Sequence, residues 1–387
     1  MKYRGSNFVT LAGLVILGVL ILFAAYLGMT GLEALLVTVL FLSLVAFFWA
    51  RHSLKKVSIR PEVPELRAFP DEDMEIPMSL RNGKYLPLLH LETSFPLASD
   101  APVAAPEPTE QALTACFSGI RGHQSLQWRS HATAVRRGVV RFPHISLSSG
   151  DGFGLCTVQK SHPMEVPLRL VVYPRIHPVN LRPILSRLRE MELHRQGYYT
   201  NPTLIHSIRD YAPGDNIRDI NWRQLARTGS LQVNLREPMR MSRFCLIPDL
   251  ESFCYKTTEK QGDVEKVVTK VRTEDLEEML SLLASLIVAA QEQQLLCTLV
   301  IPGVEARVLL PESRSAQVPE LLTALAEIDY QGESAPIPLS ELEHRQHLLG
   351  RVFLFTRKGR TERIPEDALV VSMSPGTRAL EAKEFMP

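Results

Sequence analysis

The densest group of chemically capable side chains lies between Ile208 and Arg227, in the run IRDYAPGDNIRDINWRQLAR. Arg209, Asp210, Asp215, Arg218 and Arg227 supply charge there, and Tyr211 and Trp222 supply aromatic surface. Arginine and large aromatic side chains are the usual anchors of protein interfaces, so one reading is a recognition surface. The other is an internal ion-pair lattice that fixes a loop against its own domain. Taken alone, the residue chemistry favours the lattice.

No second constellation of this density stands elsewhere. The chain has no Walker A sequence, no HExxH and no GxSxG, so the commonest phosphate-binding, zinc-protease and serine-hydrolase chemistries have no motif to rest on. The 11 histidines are dispersed. His194 and His206 flank the segment leading into the dense run, and His90 falls in an apolar strand, where a satisfied core histidine is expected. Cys116, Cys156, Cys245, Cys254 and Cys297 include no CxxC pair, which gives neither a zinc site nor a disulfide framework and fits a reducing compartment. Gly150-Asp151-Gly152-Phe153-Gly154 lacks GxGxxG spacing and reads as a turn between two strands. Lys plus Arg (43) nearly balance Asp plus Glu (42), for a net charge of +1. That balance gives no support to a nucleic-acid partner.

The elements around the dense run follow from its punctuation. Pro213-Gly214 is a turn signal. Asp215 is placed to N-cap a helix with Ile217, Ile220 and Leu225 near one face, closed by Gly229. Asp219 and Arg223, four apart, can pair across a helical turn. Upstream, Pro183 to Arg195 reads as a helix. Downstream, strands at Phe244–Pro248, Leu296–Ile301, Arg351–Phe355 and Ala368–Val371 alternate with helices at Thr273–Gln293 and Gln317–Ile328. Thr273 is the expected N-cap of the first of these helices, with Glu274 and Asp275 in its first turn. Apolar strands alternating with helices predict an α/β parallel sheet. Between Lys56 and Arg175, by contrast, short alternating runs broken by Pro, Gly and Asn predict an antiparallel β-sandwich-like domain. Asn82-Gly83 marks a turn there, and the Ala/Pro-rich stretch Ala98–Pro108 an exposed loop.

The N-terminal stretch has a different texture. Phe8 to Gly28 is roughly 21 residues without a charge, and Leu32 to Ala50 is a second run with one carboxylate, Glu33, at its start. About 20 apolar residues span a bilayer's hydrocarbon core, and Met29-Thr30-Gly31 leaves room for a tight hairpin only. Lys2 and Arg4 precede the first run, Arg51, Lys55 and Lys56 follow the second, and the hairpin has no basic residue. The positive-inside rule then predicts a two-helix transmembrane hairpin with both termini cytoplasmic and Trp49 near the inner headgroups. The expected organisation is a hairpin over 1–52, a β-domain over 53–178, a helical linker with the dense run over 179–240, and an α/β domain over 241–387.

The dense run also resembles a known family. The pattern R-[DE]-Y-x-P-G-D-x-x-R-x-I-x-W-x-x-x-A-R resembles the signature of the domain of unknown function 58 family. It stands here as Arg209, Asp210, Tyr211, Pro213, Gly214, Asp215, Arg218, Ile220, Trp222, Ala226 and Arg227. An upstream family pattern appears as Arg137-Gly138, Asp151-Gly152-Phe153-Gly154-Leu155, with Gly152 in place of the usual Pro, and Val172-Tyr173-Pro174. The resemblance extends over the whole chain. It implies a von Willebrand factor A-like (Rossmann-like) α/β domain beginning at the strand before Asp249, and association with MoxR-type AAA+ ATPases. It implies no enzymatic activity.

Such A-domains often hold Mg²⁺ through D-x-S-x-S, since hard oxygen ligands suit that cation. This chain reads Asp249-Leu250-Glu251-Ser252-Phe253, with Glu251 and Phe253 at the two serine positions. Later in the fold Thr356-Arg357 stands where another Asp is common, and an Arg there would repel a cation. Asp249 and Glu251 are therefore weak metal candidates, and no cofactor is expected. The expectation is a non-enzymatic, membrane-tethered adaptor in a bacterial inner membrane, working with a cytoplasmic MoxR-type ATPase and other envelope proteins. The alternatives are a Mg²⁺-dependent ligand-binding module and a cryptic envelope hydrolase.

Overall fold

The computed structural model describes residues 2–5, 11–106, 112–151, 156–177, 200–213, 215–238, 243–261, 264–293, 295–311, 313–338, 349, 351–357 and 369–373. The helix expected over Pro183–Arg195 lies outside them. The chain divides into two compact units, Met1–Arg175 with Thr323–Asp329, and Ile176–Leu322 with Tyr330–Pro387.

The first unit begins with a strand, β1 (Lys2–Gly5), followed by helices α1 (Leu11–Tyr26) and α2 (Thr30–Ser53). The α2 helix, of 24 residues, is long and apolar enough to cross a membrane, and 11% of its most apolar stretch is buried. A core helix of a soluble domain would be mostly buried, whereas Phe41 and Phe48 here are 65% and 60% exposed. The α1 helix has 16 residues, about 24 Å at the α-helical rise, against about 30 Å of hydrocarbon. Residues 8–10 of the span expected over Phe8–Gly28 lie outside the description, and α1 ends at Tyr26 rather than Gly28. Among the described residues, one helix meets the length of a span. Its far end is set into the unit's core, where Ala50, Ser53 and Leu54 are buried.

Among the described residues, nine further strands join β1 in this unit: β2 (Val57–Pro61), β3 (Glu65–Ala68), β4 (Asp73–Asn82), β5 (Leu88–Pro96), β6 (Val103–Ala104), β7 (Ala112–Ile120), β8 (Ser125–Ala134), β9 (Gly138–Gly150) and β10 (Cys156–Val172). They form two sheets, in the orders β1-β10-β9-β5-β7 and β2-β4-β8-β6, with β3 parallel to β10 in the first. Strand β4 alternates strictly, with Met74, Ile76, Met78 and Leu80 buried. These side chains meet Leu91, Phe95, Leu147 and Val158 of the other sheet in one core. Full burial of such a side chain contributes about 1.5–3 kcal/mol, so period-2 burial specifies the register.

Three local expectations change here. Asn82-Gly83 does not close a hairpin, because β4 and β5 lie in different sheets; Asn82 is buried and the chain crosses between layers at this point. The Ala/Pro-rich stretch contains β6, paired with β8, and buries Val103 and Ala105, so apolar burial overrides its loop-like composition. His90 is exposed, because it sits on the outward phase of β5. Within the same unit, Arg137 donates to the carbonyl oxygens of Leu325 (2.8 Å), Ala326 (3.3 Å) and Ile328 (2.6 Å), satisfying acceptors that a helix end leaves open.

The second unit contains an antiparallel ribbon of β11 (Thr200–Asp210) and β12 (Gln232–Pro238), joined through a short helix α3 (Trp222–Thr228). Its main sheet draws on β13 (Arg243–Pro248), β16 (Leu296–Ile301), β17 (Arg307–Leu309), β18 (Arg351–Arg357) and β19 (Leu369–Met373), in the order β17-β16-β13-β18-β19. All neighbours are parallel except the edge pair β16–β17. Strands β13 and β16 bury five consecutive residues each, as parallel strands covered on both faces do. Between β13 and β16 lie an antiparallel hairpin, β14 (Cys254–Gln261) with β15 (Val264–Val271), and helix α4 (Thr273–Glu292). Helix α5 (Arg314–Ala326) starts three residues before the expected Gln317. Thr273 is the first helical residue of α4 and not its N-cap, which is Arg272 without a side-chain bond.

Candidate functional site

Two places gather the candidate residues, and their states differ. The first is the lobe between β11 and β12. Arg209 and Asp210 end β11, paired with Val233 and Gln232 of β12. Ile220 bridges back to Val233, and these two side chains are the lobe's buried apolar pair. The ribbon carries the loop outward, and the loop is stapled at its base. Arg209 binds Asp215 through two parallel bonds, Nη1 to Oδ2 at 2.8 Å and Nη2 to Oδ1 at 2.6 Å. The Ala212 amide donates to the same carboxylate at 2.9 Å, and the Asp215 amide closes the turn over Pro213 by donating to the Ala212 carbonyl. The two-pronged Arg209 contact and then the Ala212 amide hold the Asp215 carboxyl below its usual range, and Asp215 in turn raises Arg209.

Asp215 therefore does not cap a helix. The expected single helix is divided into a 3-10 turn over Ile217–Asp219, capped by Asn216, and α3, capped by Asn221 through the Gln224 amide at 3.0 Å. The β-bridge at Ile220 fixes the break, because an extended residue cannot also be helical. Gly229 ends α3 with φ of 73°, as its residue type predicts. Asp210 accepts a bond from Gln232 at 3.2 Å, and the Tyr211 amide donates to Leu231. Gly214 lies outside the described residues.

With the staple accounted for, Arg218, Trp222, Arg223 and Arg227 are exposed, as is Ile217 at 67%; Trp222 is 60% exposed. Tyr211 is at the margin of exposure. Arg223 and Arg227 are four apart on α3, as are Trp222 and Ala226, so each pair shares a helix face. The surface thus offers guanidinium groups and one large indole to solvent. His194 and the side chain of His206 lie outside the description.

The second place is the carboxyl end of the main sheet. The first strand of the main sheet in chain order, β13, lies between β16 and β18, so its end is the point at which the strand order reverses, where open α/β sheets bind ligands. Asp249 follows β13 and is buried. Its amide donates to Phe355 at 2.8 Å, and its Oδ2 accepts the Thr356 hydroxyl at 2.9 Å. Ser252 donates to the Asp249 carbonyl and accepts from the Arg357 amide, while Arg357 pairs with Asp275 at 3.3 Å. Glu251 turns to a different partner: its Oε1 accepts the Ala335 amide at 2.8 Å and the Ser334 hydroxyl at 3.2 Å. Tyr330 contacts the Cys254 thiol at 3.3 Å and donates to the Glu333 carbonyl. Burial first, then Cys254 and the carboxylates Glu251 and Asp249, push its phenol upward.

Both carboxylates are thus engaged by protein donors, and a guanidinium stands two residues beyond Phe355. Among the described residues, no group of three or more His, Cys, Asp or Glu could hold a metal ion. Sequence reasoning singled out Asp249 and Glu251 but missed Thr356 as a hydrogen-bond partner, because a strand-end threonine has no signal of its own until β18 is set beside β13. It also missed Asn216 and Asn221. Asx residues at helix starts are a readable signal, masked here by the more conspicuous Asp215.

No family model matches the chain, and no curated relative matches it. Among solved structures it is similar to a chain of the Coh-OlpA-Doc918 type I cohesin–dockerin complex from Clostridium thermocellum, at 10% identity. That likeness covers 30% of this chain and 99% of the other, with a TM-score of 0.18. It is also similar to the seventh ScaB type I cohesin from Pseudobacteroides cellulosolvens, at 11% identity over 32% of this chain and 96% of that one, with a TM-score of 0.20. At such TM-scores the likeness carries no argument about fold or function.

Proposed function

We propose that this protein is a non-enzymatic, membrane-anchored adaptor whose lobe, Arg209–Arg227, docks a cytoplasmic protein partner. The observation that carries the reading is the division of labour within the lobe. Arg209 and Asp215 are consumed in bracing the loop, while Arg218, Trp222 and Arg227 are left at the surface. A rigid loop presenting arginine and tryptophan lowers the entropic cost of docking. The resemblance to the domain of unknown function 58 family directs the choice of partner to a MoxR-type AAA+ ATPase. On this reading the two sheets of the first unit are a β-sandwich and the second unit is a von Willebrand factor A-like domain. A Mg²⁺-dependent module is less well supported, because Asp249 and Glu251 already accept protein hydrogen bonds.

The anchor follows from a parity argument. Strand β1 precedes α1, and pairs with β10 from Lys2–Gln159 to Gly5–Cys156. Strands β1 and β2, on either side of α1 and α2 in the chain, both belong to the sheets of this unit, so the number of membrane crossings between them is even. If α2 crosses, the segment containing α1 crosses too, which makes a two-helix hairpin with the body on one side. The basic residues Lys2, Arg4, Arg51, Lys55 and Lys56 assign that side to the cytoplasm of the inner membrane.

A pull-down of the full chain from detergent extract tests the partner. An AAA+ ATPase should be retained by the wild type and lost, by roughly 30-fold in affinity for a hot-spot side chain, in Trp222→Ala and Arg218→Ala. Recovery of no ATPase, or equal recovery by all three proteins, sinks the reading. A C-terminal phosphatase fusion active in the periplasm would overturn the orientation.

A further inference from the structure

Three loops of the first unit are knitted together where α2 meets the body: Leu54–Lys56, Gly83–Pro87 and Arg121–Gln124. The Gly83 amide donates to Lys56 at 2.8 Å, and the His123 amide to Lys84 at 3.1 Å. The buried Asn82 side chain donates to both Leu86 and Arg121, at 3.1 and 3.0 Å, and its amide donates to Gln124. A Cβ at Gly122 would stand 2.4 Å from the Tyr85 carbonyl oxygen, so only glycine lets these two loops approach so closely. Lys84 reaches the carbonyl of Ser53, the last residue of α2, where a cation complements the helix dipole. Burial lowers its ammonium to about 8.

What this construction displays is an exposed aromatic within a field of one sign. Tyr85 is 88% exposed, with its ring 4.5 Å from that of His123 in an edge-on contact. Arg51, in the last turn of α2, and Lys55, Lys56, Arg121 and His123, in the joined loops, are exposed. No Asp or Glu occurs in 51–56, 83–87 or 121–124. An aromatic with an apolar body and a polar tip suits the membrane–water boundary, and clustered Lys and Arg beside a spanning helix suit phosphate-bearing lipid.

We propose that these three loops form a binding surface for anionic phospholipid headgroups, with Tyr85 as its interfacial anchor and Lys55, Lys56 and Arg121 as its phosphate-facing cations. The proposal rests on α2 crossing the membrane, since continuity with that helix brings the loops to headgroup level. Its 24 residues make about 36 Å, which carries the last turn, with Ala50 and Ser53 buried, just past the hydrocarbon. The headgroup surface would fix the body against the bilayer and so limit the tilt of everything attached to α2.

The full chain in nanodiscs of phosphatidylcholine, with or without phosphatidylglycerol, tests this by amide hydrogen exchange. Exchange in 83–87 and 121–124 should slow by about fivefold or more in the anionic discs, the scale of one basic residue at such a surface. The K55Q/K56Q/R121Q variant should lose that slowing, and inorganic phosphate added to phosphatidylcholine discs should not reproduce it. Equal exchange in both lipids, slowing by free phosphate, or slowing that survives the triple substitution would overturn the proposal while leaving the anchor intact. A chain that enters neither disc would overturn the anchor and the proposal together.

Discussion

The lobe at Arg209–Arg227 and the carboxyl end of the main sheet at Asp249 are both rich in charge, yet they are built in opposite ways. In the lobe one ion pair lies at the base and the other arginines face water. At the sheet end, the polar side chains turn inward onto backbone amides, carbonyls and each other. Charge density in a sequence therefore says little about availability. What decides it is whether neighbouring strands supply partners, and a loop carried on a two-stranded ribbon has fewer of these than the end of a five-stranded sheet.

Substitutions should separate the two places by how much stability each removes. The largest effect is expected from Phe253→Ala, at the fully buried end of the 3-10 turn after Asp249. Emptying such a site costs about 3–5 kcal/mol, read as a shift in the denaturation midpoint of the full chain in detergent. Thr356→Val keeps the shape but takes the donated hydroxyl from buried Asp249, with an expected loss of about 1–3 kcal/mol. If the same midpoint is unchanged, the inward-turned description of this place is wrong. In the lobe, Asn221→Ala removes the cap of α3 and should cost about 1 kcal/mol. Its signature is faster amide exchange confined to 222–228, with the main sheet unaffected.

The smallest effect concerns acid. Asp215 has its folded value depressed, so the Arg209–Asp215 staple contributes fully above the ordinary aspartate range and is lost as pH falls through the lowered folded value. Being at the surface, it should also weaken with salt. Exchange of the Ala212 amide, followed from neutral pH to below 4, should accelerate relative to the main sheet in the wild type, after correction for intrinsic exchange. Asp215→Asn should show no such step.

Much of the fold was legible because its physics is local. The strands β13, β16 and β18 are continuous apolar runs since both faces are covered, and β4 alternates since one face is. Other elements were not legible. The β14–β15 ribbon is rich in Lys, Thr and Glu and has no apolar alternation to announce it. Strand β1 is four residues, KYRG, and becomes a strand by pairing with the edge of β10. For the candidate site, the sequence picked out the lobe but misassigned Asp215 within it. Asp215, Asn216 and Asn221 can each cap a helix, and the choice among them was made by Arg209, six residues from Asp215, and by the bridge from Ile220 to Val233.

By itself, then, the sequence determined the apolar α2, the strand–helix alternation of the second unit, the left-handed glycine that closes α3 and the charges of the lobe. These follow from burial periodicity and backbone sterics, which act over a few residues. Only the tertiary structure decided that Arg209 braces while Arg218, Trp222 and Arg227 face solvent, that Asp249 is met by Thr356, and that Tyr85 stands among cations from three loops. Those outcomes depend on hydrogen-bond partners and dielectric surroundings brought from distant parts of the chain.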